Sequence, residues 1–222
     1  MAAIVDISRL KQAEDQQQLL LSELQHRVKN ILATISSLAT RMSRGRTVEE
    51  FNSAFLSRLR AMSRTHDLLA SGSWSGASLR SLLEVALEPY ATADQGNLVL
   101  NGSEVGMGAS AATTLGMIFH ELATNASKYG ALSTAAGRVE VSWEMFADEP
   151  AGPQLVRLTW IERGGPPVDA SRQAGFGTSF ITRGVEYELA GKSVLERAPE
   201  GLRCVITFPV VGNVEQTPPE RR

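Results

Sequence analysis

The segment "HELATNASKYG", His120 to Gly130, sets three polar groups at helical spacing. Glu121, Asn125 and Lys128 fall at i, i+4 and i+7, so a helix carries them on one face, while Leu115, Phe119, Leu122 and Ala126 occupy another face suited to a sheet. Asparagine is a poor interior helix residue because its amide competes for backbone hydrogen bonds. Placed between a carboxylate and a lysine, it suits a divalent ion and the phosphates that ion bridges: oxygen ligands for Mg²⁺, an ammonium for phosphate. A solvated helix face has the same pattern. Two later segments bear on the choice. In "LTWIERGGPPV" a strand ends in Glu162, with Gly164 and Gly165 close behind. A carboxylate there can accept from an exocyclic amine such as that of adenine, and the glycines admit a flat ring; an ordinary tight turn reads the same way. In "GFGTSFI", Gly175 and Gly177 are expected to precede a helix beginning at Thr178 and Ser179, with backbone N–H groups bared for phosphate. A lone Gly-x-Gly is common, so the order of the three segments is the signal.

A different chemistry lies upstream. "SELQHRVKNILATISSLATRM" is expected to be one helix carrying His26. Leu20, Leu24, Val28, Ile31, Ile35, Leu38 and Met42 recur at steps of three or four and form one apolar stripe. At about 100° per residue, His26 lies roughly 150° from the centre of that stripe, turned outward beside Lys29. Lys29 and Asn30 hold the i+3 and i+4 places that metal ligands would need. A neutral, exposed imidazole is suited to attack on a phosphate. His66 falls on the apolar stripe of a second helix with Phe51, Phe55, Leu59, Met62 and Leu69 and reads as a packing residue.

The elements that must position these groups divide the chain. Residues 1–20 read as a linker helix, 21–72 as a two-helix hairpin, 77–211 as an α+β two-layer sandwich and 212–222 as a disordered tail. Gly45 breaks the first helical run, and Thr47 with Glu50 forms a capping box for a second helix ending near Ser71. The exposed stripe of such a hairpin suits a four-helix bundle, hence a homodimer. "SGSWSGAS" reads as a linker. Beyond it come the helix "SLRSLLEVALEPYA", the strand "NLVLNG", the polar-faced helix, two alternating strands, a glycine-rich loop, another helix and two closing strands, the strands expected to be antiparallel.

Composition excludes several classes. A formal net charge of −2 gives no broad basic face for nucleic acid. The single cysteine, Cys204, sits in the alternating run "LRCVITF" and reads as a reduced strand residue. No apolar run reaches the roughly 20 residues of a membrane helix, and a cytoplasmic location is expected.

Taken in order, the three segments resemble the N, G1 and G2 boxes of the GHKL (Bergerat-type) ATP-binding fold of histidine kinases. Within that group the chain is similar to the HWE-type sensor histidine kinases. His120 matches their N-box histidine, Trp160-Ile161-Glu162 their Trp-x-Glu, and "LQHRVKNILATI" their phosphoacceptor motif with His26 in the accepting place. The resemblance runs from about Ser22 to Phe208. It implies Mg-ATP-dependent autophosphorylation of His26 and transfer to an aspartate of a response-regulator receiver. It further implies that Asn125 ligates Mg²⁺ and that Glu121 assists phosphoryl transfer. Lys128 and Tyr129 would line the phosphates and sugar, and Glu162 would recognise adenine, with Trp160, Gly164 and Gly165 beside it. Gly175, Gly177, Thr178 and Ser179 would hold the phosphate end, and His120 would lie near the nucleotide. Nine residues separate Gly165 from Gly175, too few for the long lid of other members. Arg27 follows His26 where many kinases place an acid, leaving Glu23 or Glu121 to take the proton. "AAIVDISRLKQAE" resembles the exit from a PAS-type sensor, so an upstream sensor domain is expected. A silent receiver-docking scaffold with a vestigial ATP fold, or a GHKL ATPase or protein-serine kinase with His26 idle, are the alternatives.

Overall fold

A computed structural model describes residues 11, 18, 28–29, 32–33, 35–36, 39–40, 47–72, 76–91, 96–149, 152–167 and 176–210. The chain forms two compact units, Met1–Ser57 and Arg58–Arg222, the boundary falling inside the first long helix.

In the first unit, the described residues between 11 and 40 are helical, among them Val28, Lys29 and Leu32. Helix α1 (Val48–Ser71) starts where the capping box predicts. The Glu50 N–H donates to Thr47 Oγ1 (3.2 Å), and the Thr47 N–H donates to Glu50 Oε2 (3.0 Å). Two orphan N–H groups are thereby satisfied. One turn on, the rings of Phe51 and Phe55 stack with centroids 5.6 Å apart.

The second unit is an α+β sandwich. After α1 come β1 (Ala77–Ser78), α2 (Leu79–Leu87), β2 (Leu98–Gly102), β3 (Gly106–Met107), α3 (Ala109–Tyr129), β4 (Arg138–Phe146), β5 (Leu155–Arg163), α4 (Phe176–Arg183), β6 (Lys192–Ala198) and β7 (Gly201–Pro209). Five strands form one sheet in the order β2-β4-β5-β7-β6. All its pairs are antiparallel except β2 with β4, which is parallel. This corrects the all-antiparallel expectation: α3 carries the chain back across the sheet before β4 begins, as a crossover requires. β1 and β3 form a separate two-stranded ribbon, so the end of the expected linker is a strand, and Ser78 then caps α2 through the Ser81 N–H.

Alternation along β4 and β5 aims Val139, Val141, Trp143, Val156, Leu158 and Trp160 at the helical layer. From α3, Leu115, Phe119, Leu122 and Ala126 meet them with no exposed surface. The larger of these side chains stabilise the fold by about 1.5–3 kcal/mol each. The opposite sheet face carries the ion pairs Arg138–Glu140, Arg157–Glu144 and Arg203–Glu196, a solvated surface. Leu69 of α1 joins the same core. A Cβ at Gly116 of α3 would collide with the Thr65 side chain of α1, so the two helices touch closely there. Cys204 of β7 is buried, and burial, with the Glu162 charge, pushes its thiol up to about 12. Among the described residues, no helix is long and apolar enough to cross a membrane.

Candidate active site

Helix α3 organises the site along its length. Glu121, Asn125 and Lys128 lie on one side of it as the spacing predicts, with burial decreasing from Glu121, which is buried, to Lys128, which is exposed. Gly177 comes down over the first two. A Cβ there would lie 2.9 Å from Glu121 Oε2, 3.4 Å from Asn125 Nδ2 and 3.8 Å from Asn125 Oδ1. Only glycine leaves these groups open to a third party at that point. The N-box and G2 residues, fifty-two positions apart for Asn125 and Gly177, therefore meet. Gly177 is the second residue of α4 rather than part of a preceding loop, which corrects the expected helix start at Thr178. α4 passes directly into a π-helical turn, Gly184–Glu188.

From the other side, Arg58 of α1 reaches Glu121. Its Nη2 donates to Glu121 Oε2 at 2.5 Å, with the two side chains 8% and 5% exposed. The sequence reading missed Arg58, although the signal was present. Phe51, Phe55, Met62, Thr65 and Leu69 follow helical spacing, and position 58 falls on the same line. Arg58, Met62, Thr65 and Leu69 are all buried. His66, expected on that stripe, is half-buried on its flank, and burial lowers its pKa.

Roughly 13 Å further along the α3 axis, by helical rise, the chain turns at Gly130. Here Glu162 of β5 is buried and holds two donors. Trp160 Nε1 donates to its Oε1 at 3.1 Å, and the Ala131 N–H donates to its Oε2 at 3.0 Å. Burial raises the Glu162 pKa, and the two hydrogen bonds oppose the rise. Any Cβ at Gly130 would overlap Glu162 Oε2. Gly165 packs on the same turn, where a Cβ would lie 2.7–2.9 Å from Gly130 and Ala131 backbone atoms. Gly164 has φ +72, and its carbonyl accepts from Thr134 Oγ1 at 2.8 Å. The Trp-x-Glu and Gly-Gly segments are thus one assembly locked to the end of α3.

The remaining predicted residues take distinct places. His120 is buried beside Glu121, its Nε2 3.5 Å from Thr124 Oγ1, which lies 3.3 Å from the Tyr90 hydroxyl. Burial first, then the charges of Arg64, Arg58 and Lys128, lower His120 to about 4, so it is neutral near pH 7. Tyr129 is 52% exposed, and Ser179 is exposed. Thr178 Oγ1 accepts from Arg197 Nη2 of β6 at 3.1 Å, a second arginine the sequence did not single out. His26 and Gly175 lie outside the described residues.

The donor set fits a nucleotide with its divalent ion. An amide and a carboxylate converge under a bare glycine at one end, and a buried carboxylate with lone pairs to spare lies beside Gly164 and Gly165 at the other.

An HWE histidine kinase family profile matches residues 23–104. The chain is 33% identical over 215 residues to a blue-light-activated histidine kinase of Brucella anthropi, covering 96% of this chain and 43% of that protein. It is 31% identical, with 96% and 44% covered, to a blue-light-activated histidine kinase of Brucella ovis. It thus spans less than half the length of these curated relatives. Among solved structures, the Erythrobacter litoralis EL346 blue-light activated histidine kinase superposes with a TM-score of 0.61 at 18% identity, over 94% of this chain and 61% of that one. The histidine kinase domain of the same protein gives 0.57 at 20% identity, over 86% and 93%. At such identities the structural likeness establishes the fold. With the N, G1 and G2 segments gathered along α3, the chain has the GHKL-type fold of the histidine kinase domains it resembles, and its residues 23–104 match the HWE histidine kinase family.

Proposed function

We propose that this chain is a histidine autokinase core that moves the γ-phosphoryl group of ATP to His26 and then to an aspartate on a response-regulator receiver. The observation that carries this reading is the meeting of Glu121 and Asn125 beneath Gly177, with the Glu162 assembly at the far end of the same helix. ATP would lie along α3. Glu162 and Trp160, with Gly164 and Gly165, take the adenine end; His120, Lys128 and Tyr129 line the middle; Gly175, Gly177, Thr178 and Ser179 take the phosphates. Asn125 contributes its amide oxygen to the Mg²⁺ that accompanies ATP and neutralises its phosphates.

In the transfer, an imidazole nitrogen lone pair of His26 forms a bond to the γ-phosphorus. The bond to the β–γ bridging oxygen breaks, and ADP leaves with that electron pair. The ring N–H proton goes to a carboxylate, the role assigned to Glu121. Catalysis here is mainly positioning and charge neutralisation. A sensor domain upstream supplies the input, in keeping with relatives named as blue-light-activated, and pairing of hairpins in a homodimer is a further part of the reading.

Incubation with γ-labelled ATP tests it. The expected label is acid-labile and alkali-stable, is lost in His26→Ala, and is chased onto a receiver domain. Acid-stable label, or label that survives His26→Ala, would refute the reading. ATP binding without labelling would favour a receiver-docking scaffold.

A further inference from the structure

We propose that Arg58 is a positioning residue for the phosphoryl-transfer carboxylate, holding Glu121 Oε2 at the Gly177 turn from outside the three nucleotide boxes. This inference rests on the phosphotransfer reading of Glu121. A glutamate side chain has three rotatable bonds, and left to itself it samples several rotamers. Here one oxygen is held by a guanidinium and lies where only glycine leaves it room. Arg58 Nη2 sits 2.5 Å from Oε2, and the position of a Gly177 Cβ lies 2.9 Å from that same atom. The carboxylate therefore stays beside the first turn of α4, at the phosphate end of the proposed site.

Stability is a weak explanation for the pair. Burying two opposite charges roughly breaks even against an apolar pair of similar shape. Position 58 lies on the buried face of α1, where Met62 and Leu69 show that apolar side chains fit. A guanidinium there gives up packing in exchange for directional control of the carboxylate. His120 completes the arrangement. Burial first, and then the charges of Arg64, Arg58 and Lys128, disfavour its charged form, so the residue next to Glu121 is not a rival cation. Lys128, on the same side of α3 as Glu121, is exposed and two turns away. Among the described residues, Arg58 is the cation that the structure pairs with Glu121.

A double-mutant cycle on the full chain tests this, comparing wild type, Arg58→Gln, Glu121→Gln and the double variant. The measurements are single-turnover labelling of His26 at saturating Mg-ATP, Mg-ATP affinity and thermal melting. Arg58→Gln is expected to slow labelling by about tenfold or more while the ATP Kd stays within about threefold. On the Glu121→Gln background it should slow labelling by no more than about twofold, because the group it positions is gone. Arg58→Lys should recover part of the rate, since a point charge without the fork orients less well. Losses that multiply, or a loss confined to Kd, would overturn the proposal. So would wild-type labelling by Arg58→Gln. Should that variant melt below the assay temperature, Arg58→Met takes its place with the same outcomes. Absence of labelling in wild type, or full activity in Glu121→Gln, would instead refute the phosphotransfer reading and remove the ground of this one.

Discussion

Glu121, within the N-box helix, and Glu162, beside its C-terminal end, are both buried glutamates, and they are held in opposite ways. Glu121 faces a full positive charge from Arg58 and lies beneath the bare Gly177. Glu162 faces two neutral dipoles, Trp160 Nε1 and the Ala131 N–H, and its Oε2 lies against Gly130, where any Cβ would overlap it. A charge-assisted contact beneath a position that only glycine fits suits a group that must meet a reactant. Two neutral donors on a buried acid suit a group that fixes a turn and keeps its remaining lone pairs for a neutral ligand. On the proposed function, Glu121 would govern rate and Glu162 affinity together with architecture.

The largest effect expected is on rate. Glu121→Gln should slow His26 labelling by about 100-fold or more with ATP affinity little changed, whereas Glu162→Gln should raise the ATP Kd about tenfold at a near-normal saturating rate. Single-turnover labelling and equilibrium binding decide it, and a loss of affinity in Glu121→Gln would erase the contrast. Next, Gly130→Ala forces a methyl group into Glu162 Oε2 and should cost about 1–3 kcal/mol in urea unfolding, with weakened ATP binding as the turn shifts. Smaller is the pH response. The folded Glu162 pKa lies above its unfolded value of 4.5, so the folded state binds that proton more tightly. Its contribution is fully present below pH 4.5 and is lost as pH rises through the folded value. In Glu162→Gln an amide N–H₂ faces a donor, costing about 1–3 kcal/mol. That deficit against wild type should be widest below pH 4.5 and narrow as pH rises, as urea unfolding across the range would show. A deficit that widened instead would mean the carboxylate gains from ionising in place. Smallest, Trp160→Phe removes one neutral hydrogen bond and should cost about 1 kcal/mol beyond its packing loss, with His26 labelling at saturating ATP intact.

Much of this frame is legible in the residues. Thr47 and Glu50 announce the start of α1, and Gly130 ends α3 where glycine was expected, its N–H bonding the Ala126 carbonyl. The apolar and polar faces of α3 follow from period alone. The misses have local causes. Ala77–Ser78 and Gly106–Met107 are two-residue strands, too short to show alternation, and their pairing is set by tertiary contact. Strand direction in β2 depends on a crossover, which periodicity does not encode. Arg58 was read past because the apolar residues around it defined the stripe, although a charge on a buried line requires a partner. Glu121, its partner, lies sixty-three residues away. No spacing rule reaches that far.

Cys204 has a practical consequence. It is the only cysteine in the chain, it is fully packed within β7, and its thiol is pushed up to about 12. The thiolate is the reactive form, so alkylating dyes will find almost none of it while the sheet is intact. A reporter cysteine introduced on an exposed position can therefore be labelled selectively with the native thiol left in place. In the unlabelled protein, the same residue becomes a clock: its rate of modification under native conditions reads how often β7 leaves the sheet.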